Sequence, residues 1–182
     1  MKKITFSVDS LKYGEHLNSL IPGGAHTYSK GDDQFPFMSP KAITHGNGCY
    51  IHDKDGNEFI DWQMGLTSVS IGHADSRVNK AVSEEISKGV NFSRPAILEG
   101  IAAEFFLEKI AKKHDMVKFT KNGSTATTAA LKLARAFTGR EKIAVPREFP
   151  FFSYDDWFIS GTKADGGTLP SQKKDILKFS FN

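Results

Sequence analysis

The sequence predicts an α/β fold: an N-terminal helix and a small antiparallel sheet, followed by a mixed, mostly parallel sheet flanked by helices. Apolar and polar residues alternate over residues 42–62, as in short antiparallel strands, whereas later apolar residues recur with the period of a helix. Residues 116–146 then have the pattern of a strand, a glycine-containing turn, a helix and a strand. This βαβ order favours parallel strands joined by a right-handed connection.

The composition is that of an ordinary globular protein. The chain has 182 residues, of which 39% are hydrophobic and 25% are charged. Its 24 basic and 21 acidic residues give a net charge of +3, and the lysines stand singly between carboxylates instead of forming a basic tract. The composition therefore gives no indication of binding to nucleic acid or to a membrane surface.

The sequence also predicts a cytoplasmic protein. No apolar run approaches the roughly 20 residues needed to cross a bilayer, and the N-terminus has no apolar core of signal-peptide length. Cys49 is the single cysteine, so an internal disulfide is excluded. We expect Cys49 to be a small core residue.

The first elements along the chain are a helix and a hairpin. The helix is predicted over residues 9–20 and is stopped by the sequence PGG at residues 22–24. Asp55 and Gly56 favour a tight turn within the antiparallel sheet. A boundary is predicted after Met64, which separates residues 1–64 from residues 65–182.

Three amphipathic helices follow in the second part of the chain. Asp75 or Ser76 is predicted to cap the first helix, and Gly89 is predicted to end it. The apolar face of each helix is expected to be buried. These faces consist of Val78, Ala81, Val82 and Ile86, then Leu98, Ile101, Ala102 and Phe105, and finally Ala126, Ala129, Ala130, Leu133, Ala134 and Phe137.

The residues that lead into the third helix form a polar turn, Asn122-Gly123-Ser124-Thr125. A helix N-terminus carries unsatisfied backbone N–H groups and a partial positive charge, so the turn predicts a site for a phosphate-sized anion. Neither the Walker spacing nor the dinucleotide GxGxxG pattern is present. The alternative is that the turn is only a helix cap, formed by Ser124 or Thr125.

An aromatic cluster, FPFFSYDDWF at residues 149–158, follows the next predicted strand. In an open α/β sheet it lies at the same carboxyl edge as the turn, where an aromatic ring is suited to a planar cofactor. The alternative is a loop that Phe151, Phe152 and Trp157 anchor in the core.

Several polar residues give weaker signals. Asp155 and Asp156 are of the type found in metal or acid/base pairs, but adjacent loop carboxylates are typically solvated or capping, and no metal site is predicted. His73 follows a glycine and precedes a helix, so we interpret it as a turn residue. His26 and Lys30 lie in a loop that is suited to bind an acidic substrate group.

Several segments together resemble the N-terminal part of class III pyridoxal-phosphate aminotransferases, most closely the glutamate-1-semialdehyde aminomutase branch. In chain order they are IPGGAHTYSKG, GCYIHDKDGNEFIDW, IGHAD, DMVKFTKNGSTATTAALKLARAFTGREKI and YDDWF. The resemblance implies a fold-type I pyridoxal-phosphate transferase fold that is incomplete in this chain. Residues 1–64 are then the N-terminal segment, and residues 65–182 are the first part of the large cofactor-binding domain.

The resemblance also implies a site for pyridoxal 5'-phosphate. In the family, the turn before the helix holds the phosphate through backbone N–H and hydroxyl groups. The residues that match this turn are Asn122, Gly123, Ser124 and Thr125. An aromatic residue after the next strand stacks on the pyridine ring in the family. Phe151 is the match for it, with Phe152 as the alternative.

The substrate side departs from the aminomutase pattern. Lys30 stands where the aminomutases have an arginine for the substrate carboxylate, with His26 in the same loop, and Thr125 replaces an acidic residue. Lysine attracts a carboxylate but lacks the bidentate fork of arginine. A transaminase that acts on another carbonyl, such as a sugar-linked one, is therefore an alternative to an aminomutase.

The resemblance implies that no catalytic residue lies in this chain. The family's Schiff-base lysine, the aspartate that pairs with the pyridine nitrogen and a threonine from the partner subunit are expected beyond Asn182. The intact protein, a homodimer, would then transfer an amino group between small amino and keto or aldehyde compounds through a cofactor Schiff base. The alternatives are a truncated or degenerate module that binds phosphate or a partner chain without catalysis, and an enzyme that uses the turn for a nucleotide phosphate.

Overall fold

The computed structural model describes residues 4–148 and 153–181. The chain divides into two compact units, Met1–Ser93 and Arg94–Asn182. The predicted domain boundary after Met64 stays a prediction. Within the described ranges, no helix is both long enough and apolar enough to span a bilayer.

The first unit begins with helix α1, Val8–Leu20, which agrees with the predicted helix. Ser7 is its N-cap, because the Ser7 Oγ accepts a hydrogen bond from the backbone N–H of Ser10 at 3.1 Å. After the helix, Gly23 adopts a φ of 74°, a conformation that glycine reaches at little steric cost. The chain then passes through three short 3₁₀ segments, Pro22–Gly24, Tyr28–Lys30 and Asp32–Gln34.

The predicted antiparallel sheet is present. Its strands, in the spatial order β1-β2-β3, are β1 Ile43–Asn47, β2 Tyr50–Asp53 and β3 Glu58–Ile60. The carboxylate of Asp53 holds the turn between β2 and β3, since it accepts from the backbone N–H of Asp55 at 2.9 Å and of Asn57 at 2.8 Å. Gly56 in this turn has a φ of 75°, as a tight turn at Asp55 and Gly56 requires.

The prediction that Cys49 is a core residue is wrong, because its side chain is exposed. The residue lies in the tight turn between β1 and β2. A residue at the tip of a hairpin has no sheet face on which its side chain is buried.

Helix α2, Ser76–Ile86, begins at the predicted cap. The carboxylate of Asp75 accepts from the backbone N–H of Arg77 at 3.0 Å and of Val78 at 3.3 Å. The Arg77 guanidinium binds the same carboxylate at 2.7 Å, and this side-chain hydrogen bond is the largest cause that lowers the pKa of Asp75 to about 2. Gly89, with a φ of 98°, follows the helix at the predicted stop.

The second unit contains four helices and two strands within the described residues. They are α3 Ile97–Lys109, α4 Gly123–Thr138, β4 Ile143–Pro146, α5 Asp156–Ile159, α6 Pro170–Lys173 and β5 Ile176–Phe179. Strands β4 and β5 are parallel, with Ile143 opposite Ile176. The prediction of an α/β fold with a small antiparallel sheet and parallel strands is confirmed.

The strand predicted over residues 116–120 is wrong, because this segment has no regular structure. A strand needs a neighbour that satisfies its backbone N–H and C=O groups. The two described strands of this unit, β4 and β5, pair with each other instead. The parallel unit therefore runs from β4 through α5 and α6 to β5.

The expected burial of the helix faces is also wrong for the described residues. None of the described hydrophobic side chains is buried, and Leu133 and Phe137 of α4 are 72% and 89% exposed. Periodicity predicts which residues share a face, but burial requires a second element that packs on that face. The exposed residues on the predicted faces include Val78, Val82, Ile86, Leu98, Ile101 and Phe105.

Candidate cofactor-binding site

The N-terminus of helix α4 is closed by Asn122. The backbone of Asn122 is extended, with a φ of −162° and a ψ of 174°. Its Oδ1 accepts hydrogen bonds from the backbone N–H of Thr125 at 2.9 Å and from the Thr125 hydroxyl at 3.0 Å. The prediction that Ser124 or Thr125 caps the helix is therefore wrong. Both lie inside the first turn, where a side chain does not reach back to the free N–H groups as Asn122 does.

The first turn keeps donors that a ligand can use. Within the described residues, the backbone N–H groups of Gly123 and Ser124 donate no hydrogen bond, and the half-buried Ser124 hydroxyl has no partner. The turn carries no acidic side chain, and Lys121 directly precedes it. Two backbone donors, one hydroxyl and the positive end of the helix dipole fit a phosphate dianion.

A cluster of hydrogen bonds joins the next turn of α4 to residues 153–157, which lie within the aromatic cluster. The Thr128 hydroxyl donates to the Asp155 carboxylate at 2.5 Å, and the Ser153 hydroxyl donates to the same oxygen at 3.1 Å. The Trp157 indole N–H donates to the Thr128 Oγ at 2.7 Å. We call these four residues the Thr128 cluster.

The Thr128 cluster corrects two interpretations from the sequence. Asp155 is half-buried and hydrogen-bonded to side chains instead of solvated, and Trp157 is held by a polar contact as well as by packing. Sequence reasoning missed Thr128, because a threonine on the polar face of a helix is an ordinary surface residue. Only its partner, 27 positions later, shows its role. Within the described ranges, no group of three or more metal-ligating side chains is present.

Phe151, the predicted ring-stacking residue, and its alternative Phe152 lie outside the described residues. Of the residues predicted to bind the cofactor, the structure therefore describes those of the turn at residues 122–125.

The first unit contains a cavity of about 640 Å³. Lys30 is one of its wall residues, whereas the exposed His26 is not. Lys41, which also lines the cavity, forms an ion pair with Asp32 at 3.3 Å. Lys30 makes no ion pair with any described residue, so it is the cation of this cavity that is available to an anionic group.

The wall of this cavity also contains His73 and Asp61, which form a pair. The His73 Nε2 lies 2.8 Å from the Asp61 Oδ2, and the Asp61 Oδ1 accepts from the backbone N–H of Met64 at 2.9 Å. Burial raises the pKa of Asp61, but the hydrogen bonds from His73 and the backbone outweigh it, so the pKa is lowered. The backbone of His73 pairs with Gly48 in both directions as an isolated antiparallel bridge, so His73 is a bridge residue and not the turn residue that the sequence suggests.

A helix N-terminus whose backbone donors have no partner among the described residues is suited to bind an anion such as a phosphate group. The family model described as Aminotransferase class-III matches residues 28–152. The chain therefore belongs to the class III aminotransferases, a family of enzymes that use pyridoxal 5'-phosphate, and the resemblance stated from the sequence is confirmed.

Curated relatives agree with this assignment. The chain is 33% identical to the glutamate-1-semialdehyde 2,1-aminomutase of Methanothermobacter thermautotrophicus, over 84% of this chain and 35% of the relative. It is 37% identical to the enzyme of the same name from Archaeoglobus fulgidus, over 72% of this chain and 30% of the relative. The chain thus spans about a third of the length of these relatives.

A solved structure confirms the fold. An omega-transaminase from Sphaerobacter thermophilus is similar to 94% of this chain, with a TM-score of 0.81 and 28% sequence identity, and the match covers 41% of that chain. The predicted fold, that of the pyridoxal-phosphate transferases, is therefore confirmed as a partial domain.

Proposed function

We propose that the protein containing this chain is a pyridoxal-phosphate-dependent aminotransferase or aminomutase, and that the N-terminus of α4 binds the phosphate of the cofactor. The observation that carries the proposal is the first turn of α4. In a chain of the class III family, this turn leaves the N–H groups of Gly123 and Ser124 without partners among the described residues and carries no carboxylate.

Three residues of the turn, Asn122, Gly123 and Ser124, have a part in holding the phosphate. The backbone N–H groups of Gly123 and Ser124 donate to it, and the Ser124 hydroxyl adds a third donor. Asn122 occupies the N–H of Thr125, so it fixes the turn in shape before the ligand arrives. Phe151 is proposed as the residue that stacks on the ring. When bound, pyridoxal phosphate withdraws electrons from the substrate carbon that carries the amino group.

On the substrate side, we propose that Lys30 attracts an anionic group of a small amino, keto or aldehyde compound, with His26 in the same loop. The support is the position of Lys30 in the cavity wall without an ion pair among the described residues. A lysine presents a single charged ammonium group, whereas an arginine presents two parallel N–H donors that bind both oxygens of an α-carboxylate. Lys30 is therefore better suited to an anionic group that does not require this bidentate contact. This favours a transaminase, whereas the names of the curated relatives favour an aminomutase.

The whole protein is further proposed to be a cytoplasmic homodimer whose catalytic lysine comes from the rest of the sequence. The alternative from another class is a module that binds phosphate or a partner chain without catalysis. The two differ in one measurement, because only a transaminase or aminomutase binds the cofactor covalently through a lysine.

The test uses the full-length protein that contains this chain. Pyridoxal phosphate is added, and the visible absorbance of the protein is recorded after free cofactor is removed. We expect the protein to retain an absorbance band of the cofactor that borohydride abolishes. Mass spectrometry is then expected to find the reduced pyridoxyl group on one lysine. A correctly folded full-length protein that retains no cofactor would refute the proposal.

A further inference from the structure

We propose that Thr128 and Asp155 are positioning residues for the cofactor phosphate site. This inference rests on the proposed function, because it concerns the same end of α4. The hydrogen bonds of the Thr128 cluster fix the segment from Ser153 to Trp157 against the helix one turn beyond the proposed phosphate donors. The segment is thereby tied by hydrogen bonds to the helix whose first turn carries the proposed phosphate donors.

The position of Thr128 on the helix is the first support. Thr128 follows Ser124 by four residues, so the two side chains lie on the same face of α4, one above the other. Both are half-buried, as are Leu131 and Arg135 further along this face. The face of α4 that its own unit covers is therefore the one that carries Ser124, and the opposite face, with Leu133 and Phe137, is exposed.

The hydrogen bonds of the Thr128 hydroxyl and of the Asp155 Oδ2 are the second support. The Thr128 hydroxyl donates its hydrogen to Asp155 and accepts from the indole of Trp157, so it has a partner in both directions. The Asp155 oxygen accepts from two hydroxyls, and the Asp155 N–H donates back to the Ser153 Oγ at 3.2 Å. Bonds linked in this way strengthen one another, and a bond to a charged acceptor is stronger than a neutral one.

The place of Ser153 is the third support. Ser153 is 1% exposed, in a chain whose described hydrophobic side chains are all at least partly exposed. In this region only Ser153 and Ser160, which is 0% exposed, are buried among the described residues, and the Ser153 hydroxyl serves Asp155. Loss of the Thr128 hydroxyl would leave the indole N–H of Trp157 and the carboxylate of Asp155 short of a partner where water has limited access, which disfavours this arrangement of the segment.

The test compares cofactor binding by full-length variants. Thr128→Val removes the hydroxyl and keeps the shape of the side chain, and Thr128→Ser keeps the hydroxyl. Thr138→Val is the matched control, because Thr138 lies at the far end of α4. Its hydroxyl donates to the carbonyl of Ala134 in its own helix and accepts from the backbone N–H of Arg140, two residues later. The dissociation constant of pyridoxal phosphate is measured by absorbance titration, and the thermal midpoint is measured without cofactor.

We expect Thr128→Val to weaken cofactor binding by about tenfold, as loss of a hydrogen bond to a charged group does, and Thr128→Ser to stay within about twofold of the wild type. Thr138→Val is expected to bind like the wild type. Asp155→Asn, which keeps the shape but not the charge, is expected to weaken binding by about three- to tenfold. Asp155→Asn also tests the inference if the Thr128→Val variant does not fold.

A second measurement follows the hydrogen bond between the Trp157 indole and Thr128. The chain has two tryptophans, so in a Trp62→Phe background the indole emission from this chain reports on Trp157 alone. A full-length protein with further tryptophans requires their replacement as well. We expect Thr128→Val to shift this emission and Thr128→Ser to leave it unchanged.

Two results would overturn the inference. Wild-type cofactor affinity in folded Thr128→Val or Asp155→Asn would show that the cluster does not position the site, even if the thermal midpoint falls. Equal loss of affinity in Thr128→Ser and Thr128→Val would show that the hydroxyl is not the cause. A wild-type protein that binds no cofactor refutes the proposed function and this inference together, whereas binding that is insensitive to the cluster refutes the inference alone.

Discussion

Replacement of Asn122 by aspartate separates two roles of the turn at the start of α4, which are capping of the helix and the proposed binding of the cofactor phosphate. Asn122 is the cap of the helix, and its Oδ1 accepts two hydrogen bonds from Thr125. Aspartate caps a helix about as well as asparagine, and its charge is favourable at a helix N-terminus by about 0.3–1 kcal/mol. Asn122→Asp is therefore expected to leave the unfolding free energy of the cofactor-free protein unchanged or slightly raised.

The same substitution is expected to weaken cofactor binding. The Asn122 Oδ1 lies 2.9 Å from the N–H of Thr125, so a phosphate on the neighbouring donors of Gly123 and Ser124 is within about one helical turn, roughly 5 Å. At this distance, a carboxylate and a phosphate dianion repel each other by about 1–2 kcal/mol in near-aqueous surroundings, which corresponds to about 5- to 30-fold in affinity.

The assay measures two quantities on the full-length protein: urea unfolding without cofactor, and the dissociation constant of pyridoxal phosphate at neutral pH. Asn79→Asp is the matched control, because it makes the same chemical change at an exposed position of α2. We expect the control to bind cofactor like the wild type. If Asn122→Asp also keeps wild-type affinity, the anion does not bind at this helix end, and the reasoning about the turn is refuted.

Three further predictions concern the turn, the cap of α2 and the cavity. Gly123→Leu is expected to lower cofactor retention because a side chain obstructs close approach to the backbone, whereas Gly100→Leu, in open space on α3, is expected to retain it in the same gel-filtration assay. The pKa of Asp75 is lowered from 3.8 to about 2, so its contribution to stability is complete above pH 4 and is lost as the pH falls towards 2; acid unfolding followed by circular dichroism should lose this component in Asp75→Asn. Lys30→Met is expected to raise the KM for an anionic substrate by about tenfold while Lys30→Arg does not, and steady-state kinetics that show no difference would exclude Lys30 from substrate binding.

The turn at residues 122–125 shows how far sequence reasoning reaches at the site. Its position before a helix and its capacity for an anion follow from local chemistry, since the free N–H groups of a first turn belong to any helix. The identity of the capping residue did not follow, because Asn122, Ser124 and Thr125 are all good capping types. The backbone conformation of Asn122 decides between them.

The His73 and Asp61 pair and the Thr128 cluster show where sequence reasoning ends. His73 is predicted as a turn residue from its neighbours alone, but nothing in the pattern indicates that its ring binds a carboxylate at the end of β3. Thr128 and Asp155 likewise give no joint signal, because they are far apart in the chain and each has an ordinary local interpretation. Contacts of this kind depend on how elements fold back on one another.

The sequence by itself determined the local elements of this protein: the start of α2 at Asp75 or Ser76, the turn at Gly56, the N-terminus of α4 and, through its ordered motifs, the class III family. These features depend on residues within a few positions of one another, whose preferences survive in almost any context. The tertiary structure alone decided that residues 116–120 are not a strand, that β4 pairs with β5 and that α4 is covered on the side of Ser124 and Thr128. Strand pairing and burial are properties of two surfaces in contact, and a single segment of sequence specifies only one of them.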